Sequence, residues 1–321
     1  MTESLALVVP TRNDHADLPR LLREAAGTKA VSEIVVVDDG SDPPLKERAL
    51  RRAARGLPVT LLREEVSRGA GGARNRGLEA VSASHLLYFD GDDRLSPEIG
   101  PLWADLAGRD YDFCIFRHAD SRMLWRGWAQ PHADEALWAA SGLSATALSG
   151  PVSEAVSARL AQAANYPWNK IYRTAFLREN GIRCSEIPVH NDIALHWESF
   201  DAARTVLASG RIGALHIVRP GGGRLTNQTG EARLAVFESL DVLARRLLPD
   251  RPLALPFLRF VGYLLGWLRE NIVPELHPRL EALSARFFAR HVGPDFYARI
   301  AMEDPVLARD ILIHLAMGDA A

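Results

Sequence analysis

Along the first 120 or so positions, short unbroken apolar runs alternate with longer stretches in which apolar residues recur every three or four places. The unbroken runs are Leu5 to Val9, Ile34 to Val37, Val59 to Leu62, Leu86 to Phe89 and Tyr111 to Phe116. Apolar at nearly every position, they read as strands buried on both faces. Ala16 to Ala26 places Leu18, Leu21, Leu22, Ala25 and Ala26 at helical spacing, and Leu45 to Arg55 reads as a second helix. A glycine-rich turn from Ser67 to Gly77 feeds a helix through Ala83. Ser96 and Pro97 supply an N-cap and a first-turn proline for a helix to about Ala107. Four or five βα repeats of this kind predict a parallel sheet with helices on both faces.

After Arg117 the pattern blurs. Ala136 to Ala164 predicts one or two helices around a break at Ser149-Gly150-Pro151, and Tyr166 to Tyr172 reads as a compact turn. A helix ending at Gly181, a helix capped by Asn191-Asp192 and running to about Ala203, and two strands at Thr205 to Ala208 and Ala214 to Val218 follow. Arg219 to Gly230 is polar and glycine-rich, a length and composition suited to a lid over a ligand. From Glu231 onward the chain reads as helices with proline breaks. There Phe257, Phe260, Val261, Leu264, Leu265 and Leu268 form one stripe, which predicts core or a homodimer seam. The sharper alternative for that region, with Tyr263, Trp267, Arg251, Arg259 and Arg269 nearby, is peripheral contact with a membrane surface.

Composition narrows the class. The 321 residues are 47% hydrophobic and 24% charged with a formal net charge of -2, so a sizeable core is expected and no nucleic-acid footprint is present. Two distant cysteines, Cys114 and Cys184, argue against a disulfide framework or structural zinc, and with no signal-like start or spanning apolar run the expected location is the cytoplasm.

Chemistry concentrates where strands end. Asp90, Asp92 and Asp93 fall within four positions directly after Leu86 to Phe89, at the strand edge where open α/β sheets bind ligands. Hard oxygen ligands at that spacing suit Mg²⁺ or Mn²⁺, although a lone acidic turn is more often a solvated loop. The glycines fit neither a dinucleotide fingerprint nor a P-loop, and no G-x-S-x-G occurs. Gly69, Gly71 and Gly72 before a helix, with Arg68, Arg74 and Arg76, instead suit a phosphate.

The conjunction of Val8-Val9-Pro10-Thr11-Arg12-Asn13, Ile34 to Ser41, Gly71 to Leu78 and Tyr88 to Asp93, in that order, resembles the family 2 glycosyltransferases of the GT-A fold. Trp168-Asn169-Lys170-Ile171-Tyr172 looks like the family's N-K segment, and Asn191-Asp192 like its Glu-Asp pair. The resemblance implies an α/β fold of GT-A type, a Rossmann-like, mostly parallel sheet flanked by helices. Residues 1–230 would be the glycosyltransferase domain, with a nucleotide-sugar half to about 117 and an acceptor half over 118–230, and 231–321 a helical C-terminal extension. Position by position, it implies that Pro10, Thr11 and Asn13 line the nucleotide pocket, Asp39 accepts a hydrogen bond from the base, and Arg74 and Asn75 border the donor. Asp90 would hold ribose or sugar, Asp92 the metal, and Asp192 would be the general base, with Asn169, Lys170, His190 and Asn191 on the acceptor side.

The implied activity is a metal-dependent, inverting transfer from a nucleoside diphosphate sugar, a UDP-sugar by resemblance, to a hydroxyl of a glycan in cell-surface polysaccharide synthesis. Mn²⁺ or Mg²⁺ would be the cofactor and the inner membrane face a second location. Arg12 for a stacking aromatic, Gly91 for alanine and Asn191 for glutamate depart from the family pattern. Asp192 is nonetheless expected to stay ionised near neutral pH at a helix start, with His190 the reserve base. The rivals are a silent carbohydrate- or partner-binding module and a nucleotidyltransferase; the latter wants a lysine-bearing triphosphate loop that Pro10 to Asp14 lacks. Trp125 and Trp128 suit either a sugar-stacking platform or packing under an insert.

Overall fold

The structure, a computed structural model, describes residues 3–218 and 228–318. Strand β1 (Leu5–Thr11) lies between β2 (Val31–Asp39) and β4 (His85–Tyr88), both parallel to it, and β3 (Val59–Glu64) forms one edge beyond β2. The sheet continues past β4 through β7 (Lys170–Arg173), β6 (Phe113–Asp120), β8 (Val206–His216) and β5 (Arg94–Leu95), eight strands in all among the described residues. β7 runs antiparallel to both β4 and β6, and β5 antiparallel to β8. The predicted mostly parallel sheet is therefore present, with two reversed strands.

The strands are unbroken apolar runs because successive side chains enter different layers. Leu5, Leu7 and Val9 join one core with Ile34 and Val36, while Ala6 and Val8 join the other with Val35 and Val37. The first layer is covered by α1 (Leu18–Thr28), α2 (Glu47–Ala53) and α4 (Ile99–Leu106). The second is covered by α3 (Gly69–Ala80), α7 (Thr174–Glu179) and α8 (Ile193–Ala202).

Three expectations are corrected. The Gly69 to Gly77 segment is helix α3 itself, not a turn before one. Tyr166 to Tyr172 contains β7 rather than a turn alone, and the two strands expected between Thr205 and Val218 are one strand whose pairing with β6 shifts register near Arg117. The insert between β6 and β7 carries α5 (His132–Ala140) and α6 (Glu154–Leu160) as expected. Trp138 there is fully buried, whereas Trp125 and Trp128 are exposed.

The C-terminal segment folds as α9 (Val236–Leu247), α10 (Ala254–Asn271), α11 (His277–His291), α12 (Pro294–Glu303) and α13 (Pro305–Gly318). Its buried apolar residues belong to the same core as α3 and α8. Trp197 of α8 packs against Phe257 and Phe260 of α10, with ring centroids 5.2 and 5.3 Å away. All six residues of the predicted stripe are buried by this chain, so the stripe is core and offers no free face to a second copy or to lipid. Burial of each such side chain stabilises by roughly 1.5–3 kcal/mol.

Candidate active site

The three carboxylates after β4 have three different environments. Asp90 accepts a 2.6 Å hydrogen bond from Arg74 Nη2 through one oxygen. Asp93 turns inward, is almost fully buried, and accepts from His216 Nδ1 at 3.0 Å and from the Ile217 amide at 2.8 Å. Burial raises the Asp93 carboxyl; it also opposes charge on His216, but contact with Asp93 outweighs it and lifts the imidazole above its ordinary value. Asp92 remains half-buried at the turn. A Cβ at Gly91 would lie 2.3 Å from Asp14 Oδ2, which accounts for glycine where the family has alanine: the Asp14 carboxylate closes against the turn.

The ends of β1 and β2 form the other wall. Asp38 is buried and shapes its turn, accepting from the Ser41 and Leu45 amides and from Arg63. Asp39 accepts from Ser67 Oγ at 2.5 Å, the Arg68 amide at 2.7 Å and the Gly69 amide at 3.0 Å. It is thus the anion at the start of α3, where the sequence suggested a phosphate, and a nucleobase would have to share it. Asn13, at φ 58°, bridges the two loops by accepting from the Asp42 amide while its own amide donates to Ser41 Oγ. Pro10 is buried in β1, and the Thr11 hydroxyl is buried without a partner among the described residues. Of the three arginines, Arg68 pairs with Glu186 and Arg76 lies 3.6 Å from Glu64; Arg74 alone enters the site.

Arg74 joins the two sides. Besides Asp90 it donates from Nη1 to Asn191 Oδ1 at 2.7 Å. Burial works against its charge, but Asp90 and Asp192 hold it firmly protonated. Asn191 here binds the guanidinium without the charge that a glutamate would bring, which leaves Arg74 for Asp90. The approach of α3 to this loop requires glycine: a Cβ on Gly71 would sit 2.0 Å from the Ser185 carbonyl oxygen. Asn75, expected to border the donor, exchanges two 2.9 Å hydrogen bonds with the Cys184 backbone through its side-chain amide.

Asp192 occupies the N-cap position of α8, yet its side chain makes no cap hydrogen bond; Oδ1 accepts from Asn165 Nδ2 at 2.9 Å. Burial dominates and pushes its carboxyl up to about 6, against the opposing pull of Arg74 and Lys170. The expected stabilisation of the anion by the helix start is thus outweighed by desolvation. Asn169 and Lys170, expected on the acceptor side, are buried beside Asp192 rather than on an open surface. Lys170 is fully buried, donates to the Tyr166 carbonyl and Asn169 Oδ1, and is pulled down to about 7 by burial. Asp134, buried nearby and pushed up to about 7 for the same reason, accepts from the Ala164 amide.

His190 does not suit the reserve base. At φ 62°, its Nε2 accepts from Arg233 Nη1 at 3.1 Å, and burial with Arg233 lowers the imidazole to about 4. Arg233 is itself buried and lies 4.6 Å from the centre of the Trp267 ring. Asn165, His216, Arg233 and Trp267 carry no motif, so nothing in the sequence marks them as site residues. Most of the Arg219 to Gly230 lid segment lies outside the described residues. Among the described residues no three His, Cys, Asp or Glu side chains are grouped to hold a metal ion. The carboxylate oxygens around the Asp14 and Asp92 turn have the hard-donor chemistry of a Mg²⁺ or Mn²⁺ site that takes its remaining ligands from substrate phosphates.

Residues 6–159 match the glycosyl transferase family 2 model. A Haemophilus influenzae protein named an uncharacterized glycosyltransferase is 36% identical over 95 residues, 29% of this chain and 31% of that protein. The chain thus spans about a third of the length of that curated relative. S. aureus TarS 1-349, solved in complex with UDP-GlcNAc, superposes with a TM-score of 0.74 at 19% identity over 99% of this chain and 91% of that one. The mannosyltransferase PcManGT from Pyrobaculum calidifontis, solved with GDP-Man and Mn²⁺, gives 0.56 at 15% identity over 100% and 87%. Residues 6–159 thus carry the family 2 glycosyltransferase match, within a chain whose fold is that of the solved GT-A glycosyltransferases.

Proposed function

We propose that this glycosyltransferase domain moves a sugar from a nucleoside diphosphate sugar, with uridine as the nucleoside, to a hydroxyl of a glycan or glycan precursor, inverting the anomeric centre. The observation that carries the reading is the Arg74 guanidinium bound at once to Asp90, on the donor wall, and to Asn191, next to the candidate base. One side chain thereby sets the distance between the two halves of the reaction.

Asp192 takes the acceptor proton as the acceptor oxygen attacks the anomeric carbon; the bond from that carbon to the diphosphate oxygen breaks, and the nucleoside diphosphate leaves. A carboxyl at about 6 is ionised at neutral pH yet more basic than an exposed aspartate, which suits a general base. Asp92 would hold Mg²⁺ or Mn²⁺ together with the donor phosphates, and the ion would supply positive charge beside the leaving diphosphate. The UDP-GlcNAc complex of TarS is in keeping with a uridine donor. Synthesis of a cell-surface polysaccharide at the cytoplasmic face is the setting this reading implies.

A screen of nucleotide sugars for diphosphate release, with Mn²⁺ and EDTA arms, tests the assignment. Turnover of a UDP-sugar in the Mn²⁺ arm alone, and loss of metal-dependent UDP binding by folded Asp92→Asn, are expected. Equal, equally metal-dependent binding by Asp92→Asn would remove Asp92 as a ligand, and no turnover of any donor would remove the function.

A further inference from the structure

We propose that the loop between β6 and α5 docks on an anionic phospholipid surface and so holds the catalytic edge of the sheet against a membrane. Trp125 is 76% exposed, Leu124 50% and Trp128 41%, a concentration of apolar surface within five consecutive positions. Displaying two indoles to water is unfavourable, and aromatic rings with this mixed character settle at the headgroup level of a bilayer.

The loop is built to present them. The Asp120 amide donates to the Ala129 carbonyl at 2.7 Å and closes the loop at its base. The fully buried Asp120 carboxylate accepts from the Arg122 amide at 2.8 Å and from Arg122 Nη2 at 2.6 Å. A single 3₁₀ turn, Leu124–Arg126, forms the tip. The loop's foot stands on the site: Ser121 donates its amide to the His216 carbonyl at 2.9 Å, and Ser121 Oγ accepts from the Val218 amide at 3.0 Å. His216 is the partner of Asp93 in the acidic turn, so a surface touching the tip faces the strand ends where the site lies.

Chemistry chooses the occupant. Arg122 is paired with Asp120, and beyond it, from Met123 to His132, the chain carries Arg126 and no aspartate or glutamate; the Arg126 guanidinium lies 4.7 Å from the centre of the Trp125 ring. A carbohydrate platform pairs an aromatic face with carboxylate or amide groups that bind hydroxyls, and Arg122 to Trp128 supplies neither. Indole, leucine and arginine together match an interface with apolar chains below and anionic headgroups above. No helix among the described residues is long and apolar enough to cross a membrane, so contact of this kind is peripheral. The inference extends the proposed transfer by pointing to an acceptor carried on lipid, but its test reads no turnover and fails separately from that function.

The test is flotation of the full chain with vesicles of phosphatidylcholine, with and without phosphatidylglycerol. Binding to the anionic vesicles, a fall of at least about tenfold in Trp125→Ser/Trp128→Ser, and an unchanged melting temperature are expected. Absence of binding, or equal binding by this variant, overturns the proposal. So does loss of binding in Met302→Ser/Val306→Ser, an exposed apolar pair on the C-terminal helices, with the loop variant unaffected. Loop-dependent binding of a soluble glycan without vesicle binding would assign the indoles to sugar and overturn it as well.

Discussion

The Asp192 carboxyl predicts an unusually placed acid limb in the pH dependence of turnover. With its pKa pushed to about 6 by burial, the candidate base is about nine-tenths ionised at pH 7 and only about one-tenth at pH 5. Because the protonated form cannot accept the acceptor's proton, kcat should fall roughly tenfold over that interval. A carboxylate at the ordinary value of 3.8 would lose less than about a tenth of its activity. The perturbation that isolates the cause is Lys170→Met, which removes a buried cation that favours the Asp192 anion and replaces it with an apolar chain of similar length. A nearby opposite charge shifts a carboxyl by about 1–3 units, and Lys170 is itself pulled down to about 7 and so only partly charged at neutral pH. Lys170 is the weaker of the two cations acting on Asp192, so the limb should move up by less than about one unit, under about 1.4 kcal/mol, toward neutral pH. Asp192→Asn should remove transfer by roughly 10²- to 10⁴-fold while leaving donor binding intact. The assay is nucleoside diphosphate release at saturating donor from about pH 4.5 to 8, with donor affinity measured at each pH. A limb well below pH 5, or one that Lys170→Met leaves in place, would refute the reasoning.

Two further outcomes follow from the same loop. Asn191→Glu places a carboxylate against Arg74 in competition with Asp90, so the pH profile should move more than the maximal rate; an unchanged profile would mean that Arg74 does not couple the two sides. Gly71→Ala drives a Cβ into the Ser185 carbonyl and should cost about 1–3 kcal/mol of stability, read by urea unfolding, with transfer reduced more than donor binding; near-parental behaviour would show that the loop yields easily.

The strands legible in the sequence were those buried on both faces, because an unbroken apolar run has few alternatives. β7 was not legible: it is four residues long and begins with a buried lysine, Lys170, where composition argues for a turn. The start of α3 was hidden for the opposite reason, since Gly71, a residue type that weakens a helix, is there to admit the Ser185 backbone. At the site, the order of motifs picked out Arg74, Asp90 and Asp192, which the fold brings together. It could not show which of the three clustered carboxylates meets which partner, because Arg74 and His216 arrive from distant strands and helices. Burial of Asp192, and hence its shifted acidity, depends on Asn165 and Lys170 packing behind it and has no local signature.

The shared core of α8 and α10 bears on how this protein can be divided. Trp197, five residues beyond the Asp192 cap, is covered by Phe257 and Phe260, so a cut near residue 230 would strip the cover from the helix that presents the candidate base. Residues 6–159 match the family model, yet the candidate base and its supports lie outside that span. Grafting the matched half onto another C-terminal segment would therefore transfer the donor wall without a foundation for catalysis. Modular engineering of this chain has to treat α8 to α10 as a single replaceable block.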